Sequence, residues 1–198
     1  MKTKLLKAMS ALMMSLTMIS LTACDEDTQM SMTISGQWRG NFGMFYDYEY
    51  RGEVYRYTAS ETHIYFEPNS SFSTRGRGWQ EDYYRFGPYE NMYYTFHWEV
   101  RDGILYLDYP YDPALSTAIY DYRLSRGLFT GRFAETGSTF YLIKEEIYDW
   151  SPYTDYYYYD PRDDWYYYYA PTRSAQSEGD EAQEGRIVRR GNSLASPQ

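Results

Sequence analysis

Apolar and polar side chains alternate along residues 35 to 146, and turn signals divide this stretch roughly every 8 to 12 residues. Because a period of two places successive side chains on opposite faces of a strand, the pattern predicts an all-β domain. Arg101-Asp102-Gly103 is a hairpin signal, and no segment has a convincing helical period. The predicted strands are QWRGNFGMFYDYEY, EVYRYTA, THIYFEP, SFSTRGRGWQ, MYYTFHWEV, ILYLDYP, TAIYDYRL, LFTGRF and STFYLIK.

These strands follow one another in hairpins, so the predicted fold is an antiparallel up-and-down meander of about eight strands. Closing the meander into a barrel removes its exposed edges. Gly40 and Gly43 predict a bend or bulge in the first strand. Two sets of side chains are predicted to share a face: Phe96 with Trp98 and Val100, and Tyr120 with Tyr122 and Leu124.

Three further segments flank this domain. Residues 24 to 34 are polar and acidic, which predicts a tether. Residues 147 to 169 form an arm rich in tyrosine and aspartate. Residues 170 to 198 lack aromatic side chains and periodicity, so they are predicted to be a disordered tail.

The first 23 residues have the pattern of a signal peptide. Three lysines precede an apolar stretch, residues 8 to 21, that is short for a membrane span. Leu21-Thr22-Ala23-Cys24 then resembles the lipobox of bacterial lipoproteins. In that family the chain is cut between Ala23 and Cys24, the cysteine receives a diacylglycerol, and the new N-terminus is acylated, for example with palmitate. The alternative is an ordinary secretory signal followed by an incidental cysteine.

Cys24 is the only cysteine, so no intrachain disulfide can form. Asp25-Glu26-Asp27 follows it and resembles the acidic export tag of surface lipoproteins of the Bacteroidetes kind. The alternative is a solvated tether that does not direct export to the cell surface. The resemblance implies a protein anchored by lipid to the bacterial outer membrane and exposed at the cell surface, with the membrane as its first partner.

The first strand begins Gly36-Gln37-Trp38, and this G-x-W element resembles the lipocalin-like (calycin) group. Tyr120-Asp121-Tyr122 is loosely similar to that group's T-D-Y turn. The resemblance makes Gly36 and Trp38 the signature of one barrel end and implies a ligand-binding barrel.

In that group an arginine near the last strand usually covers the tryptophan. Here the last strand offers Lys144, so Arg132 or Arg123 are alternative partners for Trp38. A small barrel filled by large aromatic side chains leaves little room for a ligand, so the presence of a cavity stays open.

Charge and motif content exclude several functions. Without residues 1–23, 16 lysines and arginines face 28 acids, a net charge of −12 that disfavours nucleic acid. His63 and His97 are the only histidines, and both are predicted to lie on the outer face as surface residues rather than as a metal pair. Gly76 and Gly78 lack the following helix of a phosphate loop. The sequence therefore predicts no catalytic residue, no metal site, no cofactor and no enzymatic activity.

The arm carries the most unusual composition of the chain. The arm contains two runs of four tyrosines, residues 156–159 and 166–169. Tyrosine offers a large amphipathic contact area at low entropic cost, so these runs are candidate contacts for a ligand, glycan or protein. The alternative is low-complexity sequence that collapses on the barrel. The candidate residues are Tyr156, Tyr157, Tyr158, Tyr159, Trp165, Tyr166, Tyr167, Tyr168 and Tyr169.

Two functions fit these observations. The first is a non-enzymatic, lipid-anchored envelope protein whose barrel binds or shields a small apolar or amphipathic ligand. The second is an adhesion or assembly module that contacts glycan or an envelope protein through tyrosine-rich surfaces. That surface would add Tyr46, Tyr48 and Tyr50 of the first strand to the arm.

The lipobox resemblance yields the first testable prediction. Mass spectrometry of the protein from native membranes should find a chain that begins at Cys24 and carries the added mass of acyl chains. A Cys24→Ser variant should lose that mass, whereas Thr22→Ser should keep it. An intact segment 1–23, or an unmodified Cys24, would contradict the prediction.

Overall fold

The computed structural model describes residues 26–125, 127–151, 157–160, 165–168 and 185–192. A helix, α1, spans 26–34, and a short 3-10 turn covers Pro113–Leu115. The strands are β1 (Gly36–Asn41), β2 (Met44–Tyr50), β3 (Glu53–Thr58), β4 (Glu61–Pro68), β5 (Arg75–Tyr83), β6 (Asn91–Arg101), β7 (Ile104–Asp108), β8 (Thr117–Ser125), β9 (Leu128–Phe133), β10 (Thr139–Glu145), β11 (Tyr157–Asp160), β12 (Trp165–Tyr168) and β13 (Gly185–Asn192).

Eight of these strands close into an antiparallel barrel in the order β1-β10-β9-β8-β7-β6-β5-β4. Closure occurs at β1, where Trp38 pairs with Lys144 of β10 on one side and with Ile64 of β4 on the other. The predicted all-β, antiparallel, closed barrel is therefore confirmed. Every barrel strand was anticipated from the alternation, and the Arg101-Asp102-Gly103 turn joins β6 to β7 as predicted.

The first predicted strand is two strands. The chain turns at Gly43, whose φ of 72° lies in the left-handed region and whose N–H donates to Asn41 Oδ1 at 2.8 Å. The hairpin of β2 and β3 then leaves the barrel, so β1 pairs with β4 rather than with β2. The predicted bend at the glycines is thus confirmed, and its effect is to place a second small sheet outside the barrel wall.

Aromatic rings fill the barrel interior. Phe42 packs edge-to-face on Phe133 and Phe140, with ring centroids 5.0 and 4.9 Å apart, and Phe129 packs on Phe140 at 5.0 Å. Edge-to-face pairs of this kind suit the ring quadrupoles. The fully buried side chains with the largest volumes are Trp38, Trp98, Tyr46, Tyr109, Phe42, Phe66, Phe96, Phe129, Phe133, Ile34, Met44 and Ile64.

Glycines on the inner face provide the space for these rings. Gly76 and Gly78 of β5 lie directly opposite Trp98 and Phe96 of β6. A Cβ at Gly76 would lie 2.8 Å from Trp98 Cε2, and one at Gly78 would overlap the Phe96 ring. These glycines are therefore packing positions, which agrees with the rejection of a phosphate loop.

Helix α1 covers one end of the barrel. Its Ile34 is fully buried, and the Trp38 indole N–H donates to the Ile34 carbonyl at 2.6 Å. The Asp27 carboxylate accepts hydrogen bonds from the backbone N–H groups of Asp102 and Gly103, each at 2.9 Å. Residues 26–34 were predicted as part of a polar tether; they are instead a docked helix, because two of their apolar side chains, Met30 and Ile34, pack against the barrel core.

Lys144 completes this end. Its ammonium lies 4.4 Å from the Trp38 ring centroid and donates to the Ser35 carbonyl. A cation over the face of a tryptophan is attracted by the ring. Lys144 itself therefore takes the position for which Arg132 and Arg123 were considered.

One predicted shared face is wrong. Tyr122 and Leu124 pack against the core, but Tyr120 does not, because the pairing of β8 with β9 shifts between Tyr120 and Arg123. The bulge contains Asp121, whose φ is 50°. An extra residue inverts the alternation along the strand. The other set, Phe96 with Trp98 and Val100, is buried together as predicted.

The C-terminal segments also differ from the prediction. Residues 170–198 were expected to be disordered, but Gly185–Asn192 forms β13 and pairs with β2, which gives the three-stranded sheet β13-β2-β3. In the arm, β11 and β12 pair with each other as an antiparallel hairpin. No helix within the described ranges is long and apolar enough to cross a membrane.

Loss of the α1 contact should destabilise the barrel measurably. Asp27→Ala removes a charged acceptor from two backbone donors, and we expect the free energy of unfolding to fall by about 1–2 kcal/mol. Glu26→Ala is the matched control, since it removes an exposed carboxylate one position earlier on the same helix. Urea denaturation should show a lower midpoint for Asp27→Ala alone; equal midpoints for the two variants would contradict the role of Asp27.

Candidate ligand-binding site

A cavity of about 300 Å³ lies at the barrel end opposite α1, between the start of β6 and strand β13. Its volume is at the lower limit of pockets that hold small ligands. The barrel contributes aromatic rings and a thioether, and β13 contributes an aliphatic side chain and two guanidinium groups. The lining residues are Tyr89, Met92, Tyr93, Tyr94, Gly185, Arg186, Ile187 and Arg190.

The two arginines supply the charge of this cavity. Arg190 donates from Nη1 to Asp112 Oδ2 at 2.9 Å, and its guanidinium lies 6.0 Å from the Tyr94 ring centroid. Its buried Nε–H donates to no other described group. Arg186 is more exposed and donates to Glu49 Oε2 at 3.0 Å. The site therefore combines an aromatic floor with cationic hydrogen-bond donors.

A buried carboxyl group lies behind the floor, inside the barrel. Asp82 of β5 is the cross-strand neighbour of Met92 and is fully buried. It accepts hydrogen bonds from Thr62 Oγ1 at 2.6 Å and from Gln80 Nε2 at 3.0 and 3.1 Å. Gln80 in turn accepts from the Tyr109 hydroxyl at 2.6 Å. The network satisfies polar groups that would otherwise be costly in this interior.

Burial dominates the electrostatics of this network. Desolvation raises the pKa of Asp82 to about 7, against the hydrogen bonds from Thr62 and Gln80 that lower it. Desolvation, followed by the charge of Asp82, also raises the pKa of Tyr94 in the cavity lining. The Tyr94 phenol is therefore a neutral hydrogen-bond donor at any physiological pH.

His63 lies on the outer face of the barrel, as predicted, but it is buried rather than exposed. Its two ring nitrogens contact Glu145 Oε2 at 2.7 Å and Glu61 Oε1 at 3.1 Å. The Tyr148 ring stacks on it with centroids 4.1 Å apart, and the Tyr148 hydroxyl donates to buried Glu81. This cluster fastens the segment around Tyr148 to the barrel wall.

The predicted site residues have different outcomes. Gly36 and Trp38 lie at the closed barrel end. Ala23, Cys24, Tyr156 and Tyr169 lie outside the described residues.

The two tyrosine runs meet in the arm hairpin, where Tyr157 pairs with Tyr168, Tyr158 with Tyr167 and Tyr159 with Tyr166, and Trp165 pairs with Asp160. On β2, the three tyrosines that were predicted to join the tyrosine-rich surface do not all lie at the surface. Tyr46 and Tyr48 are buried, and Tyr50 is exposed.

The cavity residues were missed in the sequence. Arg186, Ile187 and Arg190 lie in a segment that was interpreted as a disordered tail, although RIVRR carries an aliphatic pair inside a basic run. Asp82 lies two residues beyond the predicted end of its strand. In the part of the chain that the structure describes, no group of three or more His, Cys, Asp and Glu side chains is arranged to hold a metal ion.

Comparisons with known proteins give no relative. No protein-family model matches the chain, and searches of curated proteins and of solved structures find no significant match.

The raised pKa of Asp82 predicts a pH dependence of stability. The folded chain holds the proton more tightly than the unfolded chain, in which an aspartate has a pKa near 3.9. Protonated Asp82 therefore contributes on the order of 4 kcal/mol to the free energy of unfolding. This contribution is fully present below about pH 4 and is lost as the pH rises to about 7.

Urea denaturation of the wild type and of Asp82→Asn between pH 4 and 8 measures this effect. Asparagine resembles the protonated carboxyl group and does not titrate, so the stability of the variant should decline much less between pH 4 and 8 than that of the wild type. Asp108→Asn, at an exposed position, should keep it. Parallel pH profiles for the wild type and Asp82→Asn would show that Asp82 does not titrate between these limits.

Proposed function

We propose that this chain is a non-enzymatic protein, anchored by lipid to the bacterial outer membrane, whose barrel end binds a small amphipathic ligand with an anionic group. The observation that carries the proposal is the cavity of about 300 Å³ in which Arg190 and Arg186 face an aromatic floor. The lipobox resemblance at Cys24 supports the location.

The chemistry of the lining selects the class of ligand. Met92, Tyr89 and Ile187 offer apolar surface, which favours a short aliphatic or aromatic body. Guanidinium groups bind carboxylates and phosphates through charge-assisted hydrogen bonds, and both Arg190 and Arg186 line the cavity. An uncharged apolar molecule could not form such hydrogen bonds.

The filled barrel interior favours a ligand site at the barrel end over one along the axis. Phe66, Phe96 and Phe129 occupy the middle of the barrel, where their rings pack against one another. A ligand along the axis would have to displace closely packed rings, which is expensive in a native core. The β13 cavity requires no such displacement.

Calorimetric titration of the full chain with decanoate and with decanol tests the proposal. Both probes have the same aliphatic length, and only decanoate is an anion. We expect decanoate to bind more tightly. In Arg190→Gln its affinity should fall at least about 10-fold, equivalent to about 1.4 kcal/mol, because the charged donor is lost. Arg123→Gln, at an exposed position on β8, is the matched control and should bind as the wild type does.

Circular dichroism of Arg190→Gln keeps the test interpretable, since this variant also loses the ion pair with Asp112. Equal affinities for decanoate and decanol in the wild type would overturn the anionic ligand. The absence of any binding heat for either probe would overturn the ligand site itself.

A further inference from the structure

Strand β13 fills a groove along the free edge of β2. β2 pairs with β3 on one side, and on the other it pairs with β13 from Gly185–Tyr50 to Asn192–Met44. An unpaired strand edge presents backbone donors and acceptors that seek a partner. The groove therefore requires an extended segment, and residues 185–192 supply it.

The segment is matched to the groove along its length. At its ends, a Cβ at Gly185 would lie 2.5 Å from the Tyr48 ring, and one at Gly191 would lie 2.9 Å from the Phe45 ring. Between them, Ile187 packs against the core. Small residues at both ends and an aliphatic anchor between them define a sequence-specific fit.

Charge adds to this specificity. The chain is strongly acidic, yet this segment carries three arginines. Arg186 pairs with Glu49 at 3.0 Å and Arg190 with Asp112 at 2.9 Å, while the Arg189 guanidinium lies 5.5 Å from the Phe45 ring centroid. A basic strand thus meets an acidic groove on a molecule that carries both.

The segment is also separable from the barrel. The barrel closes through β1, β4 and β10, and β13 pairs with none of its eight strands. The arm hairpin brings its own ends together, so the span between Ser151 and Gly185 comes from residues 152–156 and 169–184, which reach roughly 70 Å when extended. That reach covers the groove of a neighbouring molecule as well as its own.

We propose that residues 185–192 are exchanged between copies of this chain, so that the β2 groove of one molecule binds the β13 strand of the next. The contact joins two different surfaces, donor strand and groove, so each added copy carries one of each and can extend the assembly. Arg186, Ile187 and Arg190 of each cavity would then come from a second copy. The proposal does not depend on ligand binding, and it gives the assembly hypothesis a defined contact.

Mixed disulfides between two versions of the full chain test the exchange. Both versions carry Cys24→Ser and tags of different size; one carries Glu49→Cys and the other Arg186→Cys. These positions pair directly across β2 and β13, and antiparallel neighbours lie within the Cα separation that a disulfide accepts. After mixing at high concentration and oxidation, we expect a covalent heterodimer that contains one copy of each tag.

The matched control replaces Arg186→Cys with Val54→Cys. Val54 is the direct neighbour of Glu49 on the other side, in β3, and is exposed. β3 follows β2 through a tight turn and cannot reach another copy, so this mixture reports random collisions of the Glu49→Cys thiol.

Exchange predicts several-fold more heterodimer with Arg186→Cys than with Val54→Cys, and more as the protein concentration rises. Equal amounts in the two mixtures would overturn the exchange. A chain that carries both Glu49→Cys and Arg186→Cys then shows whether the groove binds its own strand, because its disulfide would form within the monomer.

Discussion

The central constraint on this molecule is the filling of an eight-stranded barrel with aromatic rings. Three valines in the whole chain leave the core to tyrosine, phenylalanine and tryptophan, with a few leucines and isoleucines. Rings of this size need neighbouring positions without side chains. Gly76 and Gly78 are such positions, because a Cβ at either would collide with Trp98 or Phe96 of the paired strand. In the part of the chain that the structure describes, these rings are buried in contact with one another, which favours binding at the ends or on the outside of the barrel.

The two ends of the barrel differ in how they are closed. Helix α1 and Lys144 seal the first end around Trp38 through one indole hydrogen bond and one cation–π contact. At the second end a carboxyl group is buried, and burial raises its pKa to about 7. A charged Asp82 in this position costs stability, yet Thr62 and Gln80 satisfy its oxygens. Burying a carboxyl group costs folding free energy. Asp82 is nevertheless buried directly beside Met92 of the cavity floor.

Most of the barrel was predictable because its strands alternate with a period of two and end at recognisable turns. The features that were missed depend on contacts distant in the sequence. Tyr120 changed faces through a bulge that no local pattern marks. Helix α1 is stabilised by the hairpin at Gly103, far along the chain. Likewise, β13 forms because β2 offers a free edge, and a short polar segment cannot reveal that edge by itself.

The cavity and the β13 groove share Arg186, Ile187 and Arg190, so a ligand and the strand act on one equilibrium. An anion bound by Arg190 as proposed would hold β13 in place, since the guanidinium belongs to the strand while the floor belongs to the barrel. By linkage, a strand that is already docked would then tighten binding of the proposed ligand by the same factor. Under the proposed function this coupling follows from the fold, because the cavity described above is lined by the barrel on one side and by a separate strand on the other.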